Sequence, residues 1–415
     1  MRILYVVQRY GADVAGGAEQ HCRQFATRMA ARGHHVEVLT TCAVDARTWE
    51  DRYPAGDEQL DGVTVHRLST PRIVDERLYD TLGWEVLWSG RRVPPALVEV
   101  WLRAQGPVST VLVPWLADRS AGFDVAVFFT YLFWTTWAGL RTAGGRVPTV
   151  LHATAHDERP FWLPIYDTEL RSPDAYAWST EEERDLLRLR GAGAVPGSVI
   201  GVGMDPAPRG ADEHGFRARH GLGDRPYLLV LGRVDPGKGS TDLAEWFAAY
   251  KRRRPGPLAL VFVGERAVAV PAHPDVVATG FVSDAERTGA LRGALALVQP
   301  SWFESFSMVL AEAWAAGKPA VVQARNPVLA AQARRSGGAL PFEGYVDLEV
   351  ALDALRSDPE LAARLGQAGR RYVEHHYNWE RVLARYERLL TLARRRFAAR
   401  GRRRPPGHLI RGSAA

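Results

Sequence analysis

Cysteine is almost missing from this 415-residue chain, with Cys22 and Cys42 as its two thiols. Two thiols build neither a disulfide framework nor a metal cluster. Each falls in a stretch that reads as core, so both are expected as buried thiols, a usage that suits the cytoplasm. Long apolar runs are missing too. The longest charge-free one near the middle, Val125 to Leu140, has 16 residues and carries Thr130, Thr135 and Thr136. A membrane span needs about 20, so this stretch reads as a buried strand, a loop and a helix. Met1 leads directly into Ile3-Leu4-Tyr5-Val6-Val7, which is too short for a secretory signal and lacks a cleavage site. Lysine is scarce as well: Lys238, Lys251 and Lys318 stand against 50 arginines. A lysine kept against that bias is a weak hint that lysine itself is needed.

The net charge of +6 is unevenly placed, because Leu392 to Ala415 carries eight arginines and no acid, leaving the body near −2. The first reading of this tail is a solvated, disordered end. The second is peripheral contact with anionic lipid at the inner face of the membrane. Aromatic residues do not interleave with the tail arginines as a single-strand binder requires, so no nucleic acid is expected.

Short β-branched runs alternate with amphipathic segments, the pattern of a parallel sheet with crossover helices. Strands fit Ile3–Val7, Val36–Thr40, Val63–Arg67, Asp124–Phe129, Thr149–Ala153, Ala175–Ser179 and Ser198–Val202. A helix fits 18–32, with Cys22, Phe25, Ala26 and Met29 on one face and Gly33 as its stop. Residues 206–224, rich in Pro, Gly and charge, read as a linker after a first domain of 1–205. A second alternating set, 225–376, starts at Tyr227–Leu231 and continues with strands at Leu258–Val263, Val276–Ala278, Ala294–Val298 and Ala320–Gln323. Helices fit Asp347–Arg356, Pro359–Glu374 and Trp379–Ala398. The whole is an α/β chain of two Rossmann-like halves with a cleft between them. The Trp-rich stretch from Thr70 to Ala121 fits no period and reads as acceptor lining or as local core.

The strongest constellation is Pro300-Ser301-Trp302-Phe303-Glu304-Ser305-Phe306-Ser307-Met308-Val309-Leu310-Ala311-Glu312. It follows a strand and opens a helix. Such a turn exposes unpaired backbone N–H groups at the positive end of the helix dipole, an anion site suited to a diphosphate. Glu304 is expected at the mouth of the helix and Glu312 about two turns in, with carboxylates able to accept from vicinal sugar hydroxyls. The alternative is a surface helix with two solvated glutamates. Gly232-Arg233-Val234-Asp235-Pro236-Gly237-Lys238-Gly239 follows the first strand of the second half. Arg233 can fork onto phosphate oxygens and Lys238 adds a point charge, together neutralising a leaving diphosphate. No acidic cluster suggests a metal site, so no metal or cofactor is expected. Gly16-Gly17-Ala18-Glu19 opens the first helix, where the Gly17 N–H could meet a phosphate or sugar; alone it reads as a plain turn. His156, at the carboxyl end of a strand, could bond a donor-sugar hydroxyl, whereas His152 inside that strand reads as core.

In order along nearly the whole chain, these residues resemble the retaining GT-B glycosyltransferases of family 4, the group 1 glycosyltransferases. The match runs through Gly16-Gly17-Ala18-Glu19, Gly33-His34, His156-Asp157, Gly232-Arg233 with Lys238-Gly239, Val263-Gly264 and Gly280-Phe281-Val282. Glu304 with Glu312, Ala315-Ala316-Gly317-Lys318-Pro319 and Tyr377-Asn378-Trp379 complete it. The resemblance implies two domains facing each other across a cleft, with a terminal helix, 377–398, crossing back to the first domain ahead of the tail at 399–415. It implies a nucleotide-diphosphate sugar as donor. Arg233 and Lys238 would bind the diphosphate, with Gly17 approaching the phosphates and His156 the sugar. Glu304 would hold the transferred sugar, Ser305, Phe306, Ser307 and Met308 would line the donor, Glu312 would bind the ribose and Val282 would flank the base. Glu304, His156, Arg233 and Lys238 are the expected catalytic set. The acceptor is open among glycan, lipid-linked saccharide and small molecule, in cell-surface glycan, glycolipid or glycosylated-metabolite synthesis. A sugar-nucleotide epimerase or hydrolase on the same fold, and a non-catalytic partner subunit, are the alternatives. One departure stands out: the family usually has Gly where this chain has Ser307.

Overall fold

The computed structural model describes residues 1–70, 76–89, 92–206 and 212–403. The chain divides into two compact units, one of Met1–Ile200 with the segment from Leu383 on, the other of Gly201–Val382. Most of the expected basic tail, 404–415, lies outside the described residues.

The first unit is built on eight strands: β1 (Arg2–Val6), β2 (His35–Thr41), β3 (Gly56–Leu60), β4 (Val63–Leu68), β5 (Val125–Phe129), β6 (Thr149–His152), β7 (Ala175–Trp178) and β8 (Gly197–Val199). Their order in the sheet is β3-β4-β2-β1-β5-β6-β7-β8. All pairings are parallel except β3 with β4. The central strands β1 and β5 read as unbroken apolar runs because helices cover both faces of a parallel sheet. β3, Gly-Asp-Glu-Gln-Leu, was not among the expected strands. It is a charged edge strand, and charge on an edge discourages further pairing.

Helix Gly17–Ala31 buries Cys22, Phe25, Ala26 and Met29, the spacing of one helical face. Cys22 and Cys42 are both buried free thiols. The Trp-rich stretch is helical where described, over Glu76–Gly83, Trp84–Trp88, Pro95–Gln105 and Leu112–Arg119. Its tryptophans range from buried to exposed: Trp101 is wholly buried in the core, Trp115 is partly buried against it, and Trp84 and Trp88 are 64% and 54% exposed.

The terminal helix, Trp379–Arg403, starts in the second unit and runs on within the first. Val382, Leu383, Tyr386, Leu389, Leu390 and Ala393 form its buried stripe. The Tyr386 ring packs 4.6 Å from Phe25 and 5.5 Å from His152. Ion pairs flank the stripe: Glu387 with Arg32 at 3.1 Å, Arg394 with Asp124 at 2.8 Å and Arg400 with Asp174 at 3.0 Å. Two of the described tail-side arginines, Arg394 and Arg400, thus serve structure, in line with the small worth of exposed pairs and the larger worth of the buried stripe.

The second unit carries β9 (Tyr227–Leu231), β10 (Ala259–Val263), β11 (Val276–Ala278), β12 (Ala296–Gln299), β13 (Ala320–Gln323) and β14 (Ala339–Phe342). The sheet order is β11-β10-β9-β12-β13-β14, parallel throughout. β14 was not foreseen. Its Pro341 is tolerated because the strand is an edge. The stretch 206–224, expected as linker, contains helix Glu213–Arg219. Its Phe216 is buried 6.1 Å from the Tyr227 ring, and Arg219 pairs with Glu286 at 2.7 Å, so this helix is part of the second unit. Among the described residues no helix is long and apolar enough to cross a membrane.

Candidate active site

In the second sheet the strand order reverses between β9 and β12. Ligands of open α/β sheets bind outside the carboxyl ends of the strands at such a reversal. The two loops that leave these strands are Gly232–Gly239 and Pro300–Ser307, the two runs that carried the strongest sequence signals. The structure brings them together. Lys238 Nζ donates to Glu304 Oε1 at 2.7 Å, across 66 residues of chain. Glu304 keeps 12% of its side chain exposed and Lys238 keeps 40%.

Local rules place Lys238. Asp235 caps a single helical turn, Pro236–Lys238, by accepting from the Lys238 N–H at 2.9 Å. Gly239 then turns left-handed at φ +66 and starts helix Ser240–Arg253. A side chain there would collide with the Pro300 carbonyl, so glycine lets one loop lie directly on the other. Arg233 donates through Nε to Asp235 Oδ2 at 2.6 Å. Its guanidinium is therefore steered by Asp235, and the group remains half-exposed.

The second loop corrects one expectation. The helix starts at Met308 and ends at Ala315, so Glu304 lies in the loop four residues ahead of it rather than at its mouth. Ser307 is the N-cap residue at φ +68, but its side chain makes no cap bond to the helix. The Ser307 hydroxyl instead accepts from Gln299 Nε2 at 2.8 Å. The first-turn amides of Met308–Ala315 therefore meet no side-chain cap from Ser307, as an anion-binding helix start requires. Serine at positive φ costs on the order of 1 kcal/mol, which glycine avoids. A glycine here, which the family resemblance leads one to expect, would relieve that backbone strain. The Phe306 carbonyl is held by Gln332 Nε2, itself fully buried. Phe306 packs edge-on against Tyr377 at 4.9 Å. With that carbonyl held inward, the N–H of the same peptide, on Ser307, is directed the other way, since the two are antiparallel across a planar trans peptide.

Glu312, just over one turn into this helix instead of the expected two, pairs with Arg287 of helix Asp284–Gly293. Burial raises its carboxyl above the ordinary range, and Arg287 pulls it back. Val282, half-buried between exposed Phe281 and Ser283, lies just before that helix, whose Ser283 and Glu286 form a complete capping box. Arg287, next to the residue expected to bind ribose, was not singled out in the sequence. Nor were Asp235, Gln299 and Gln332. Gln299 alone left a trace, as a polar end to an apolar strand.

Gly17 and His156 belong to the first unit, at carboxyl ends of its parallel strands. Gly17 opens helix Gly17–Ala31 after the loop from β1. A side chain on Gly17 would meet nothing, whereas one on Gly16 would collide with the Glu19 carboxylate. That carboxylate is buried, accepting from Gln8 Nε2 at 2.9 Å and from Arg9 NH2 at 2.6 Å. Gly16 is therefore the sterically required glycine of the pair. His156 follows β6 in a turn where Thr154 has φ +49. Its Nδ1 lies 3.1 Å from Glu158 Oε1. Glu183 fastens the turn, accepting from the Ala155 N–H at 2.7 Å and the Ser179 N–H at 2.5 Å. His152 is buried and stacked on Phe129 at 4.3 Å, as a core histidine.

Two family models match the chain. Residues 16–203 match the glycosyl transferase 4-like domain, and residues 212–372 match the glycosyl transferases group 1. Glycogen synthase of Mycobacterium tuberculosis is 26% identical over 99% of this chain and 98% of its own length. Among solved structures, sucrose-phosphate synthase from Thermosynechococcus elongatus superposes with a TM-score of 0.71 at 20% identity, covering 96% of this chain and 99% of that one. HepE from Anabaena, in complex with UDP-glucose, superposes at 0.64 and 15% identity, covering 97% of this chain and 99% of that one. The fold is GT-B, the class of two Rossmann-like units with a long C-terminal helix. The chain belongs to the group 1 glycosyltransferases, family 4, and is a nucleotide-sugar-dependent retaining glycosyltransferase.

Proposed function

We propose that this enzyme moves a hexose from a uridine-diphosphate sugar to the hydroxyl of a saccharide or other polyhydroxylated acceptor. The observation that carries the reading is the Lys238–Glu304 pair at 2.7 Å, joining the loops that leave the two switch-point strands. Lys238 and the half-exposed Arg233 supply positive charge to a leaving diphosphate, and the first-turn amides of Met308–Ala315 supply donors. Glu304 accepts from hydroxyls of the transferred sugar. Glu312, held by Arg287 just over one turn into the helix Met308–Ala315, accepts from the ribose hydroxyls. His156 bonds the sugar, and Gly17 offers its N–H to the phosphates. As the glycosidic bond breaks, electrons pass to the diphosphate and the acceptor oxygen attacks the same face. Its proton moves to the departing phosphate oxygen, so no protein nucleophile is needed and the anomeric configuration is retained.

The uridine base is chosen because HepE, of the same fold, binds UDP-glucose. The test is nucleoside diphosphate release from UDP-, GDP- and dTDP-hexoses, with and without a panel of saccharides, inositol phosphates and lipid-linked sugars. Product mass and anomeric coupling are read in parallel. Acceptor-dependent release with a UDP-hexose and an α-linked product supports the proposal. Rapid release without any acceptor identifies a hydrolase or epimerase and refutes it.

A further inference from the structure

Glu304 is gripped on one oxygen. Lys238 Nζ donates to Oε1 at 2.7 Å, and Gln299 Nε2 donates to the same Oε1 at 3.3 Å. Among the described residues Oε2 has no protein partner. A carboxylate held through one oxygen by two donors from different directions has its torsion fixed, so the other oxygen is presented in one direction.

The second donor is itself oriented. Gln299 ends β12 and is 5% exposed. Its amide NH2 has two protons. One goes to Glu304 and the other to the Ser307 hydroxyl at 2.8 Å. The opposite amide orientation would set a carbonyl oxygen against a carboxylate oxygen, so electrostatics fixes the assignment. The Ser307 hydroxyl is available to Gln299 because it does not cap its own helix. A glycine at this position, which the family resemblance leads one to expect, could not accept from Gln299.

We propose that Gln299 and Ser307 act together as positioning residues for Glu304. The Ser307 oxygen orients the Gln299 amide, and that amide holds the Glu304 carboxylate with Oε2 toward the transferred sugar. Serine at a positive φ, which costs backbone strain, is thereby tied to a gain in sugar orientation. This inference rests on the proposed contact between Glu304 and the donor sugar.

The experiment compares Gln299→Met, Ser307→Ala, the double variant and Glu304→Gln by steady-state transfer kinetics on the full chain. Methionine keeps the volume of Gln299 and removes its donors. Alanine keeps the Ser307 backbone strain and removes only the oxygen. Expected results are a fall in kcat of about tenfold to thirtyfold for each single variant, with donor KM within about threefold of wild type. The double variant should match the worse single rather than the product of the two, because both losses pass through one amide. Ser307→Ala decides the question if Gln299→Met does not fold. Wild-type kcat in the singles, or multiplicative losses in the double, overturn the positioning role. Glu304→Gln separates the levels: wild-type activity there refutes the sugar contact itself. A severe loss there beside unaffected Gln299→Met and Ser307→Ala refutes the positioning pair alone.

Discussion

Replacing Lys238 by methionine removes one charge and keeps the stem. Lys238 sits 2.7 Å from Glu304 and 40% of its side chain is exposed. A unit charge pair about 4 Å apart at an effective dielectric near 20 is worth ~4 kcal/mol. At a site this exposed the pair in the free protein realises much less, typically ~0–1 kcal/mol. The fold should therefore barely notice the change, with a melting midpoint lowered by at most about 4 °C. Catalysis should notice it strongly. A preorganised charge aimed at a leaving diphosphate typically contributes a factor of about 10² to 10³. The assay is kcat/KM for the cognate donor, with melting curves and circular dichroism on the same samples. A fall of that size beside an intact fold is the expected result. Less than a threefold loss, or a loss matched by the unfolded fraction, would refute the assignment of Lys238 to the phosphates.

Three further outcomes follow from geometry and burial. Gly16→Ala should disrupt the Glu19–Arg9 cluster and lower both melting midpoint and activity. Gly17→Ala, with open space at its Cβ, should fold as wild type; the reverse ranking would contradict the account of this helix start. Tyr386→Ala should cost about 3–5 kcal/mol of stability, since its ring is fully buried against Phe25 and His152; chemical denaturation measures it. Glu183 gives a pH signature. Burial pushes its carboxyl up to about 7, against the pull of the Ser179 and Ala155 N–H groups and His156. The native state therefore holds this proton more tightly than the unfolded chain. Its contribution to stability is full below the ordinary carboxyl pKa and is lost as pH rises toward 7. The melting advantage of wild type over Glu183→Gln should shrink between about pH 5 and 7.5; an advantage that grows over that range has the wrong sign.

Much of this was legible in the sequence because the parallel sheets announce themselves. Tyr227–Leu231, Ala259–Val263 and Ala320–Gln323 are strands as read, since strands buried on both faces are continuous apolar runs. The edge strands β3 and β14 were missed because charge in Gly-Asp-Glu-Gln-Leu and proline in Ala-Leu-Pro-Phe interrupt the apolar run. The helix 213–219 hid in a stretch whose Pro, Gly and charge looked like linker, with Phe216 as its one large anchor. At the site, Lys238 and Glu304 stood out by residue type. The surrounding residues did not. Arg287 and Gln332 act across 25 and 26 residues of chain, and Gln299 acts across a loop, contacts that no local spacing reveals. Asp235 acts locally on Arg233 and Lys238 but reads in the sequence only as part of their run. Ser307 was visible as a departure from glycine, but its meaning needed a backbone angle and the position of Gln299.

The most direct test is a melting series of wild type and Lys238→Met with UDP-, GDP- and dTDP-hexoses. The account predicts that one nucleotide class stabilises the wild type, by about 2.7 kcal/mol at a hundredfold excess over Kd, and that Lys238→Met loses most of that shift. A wild type indifferent to every nucleotide sugar, or a variant stabilised as much as the wild type, would contradict a diphosphate held at the carboxyl ends of β9 and β12.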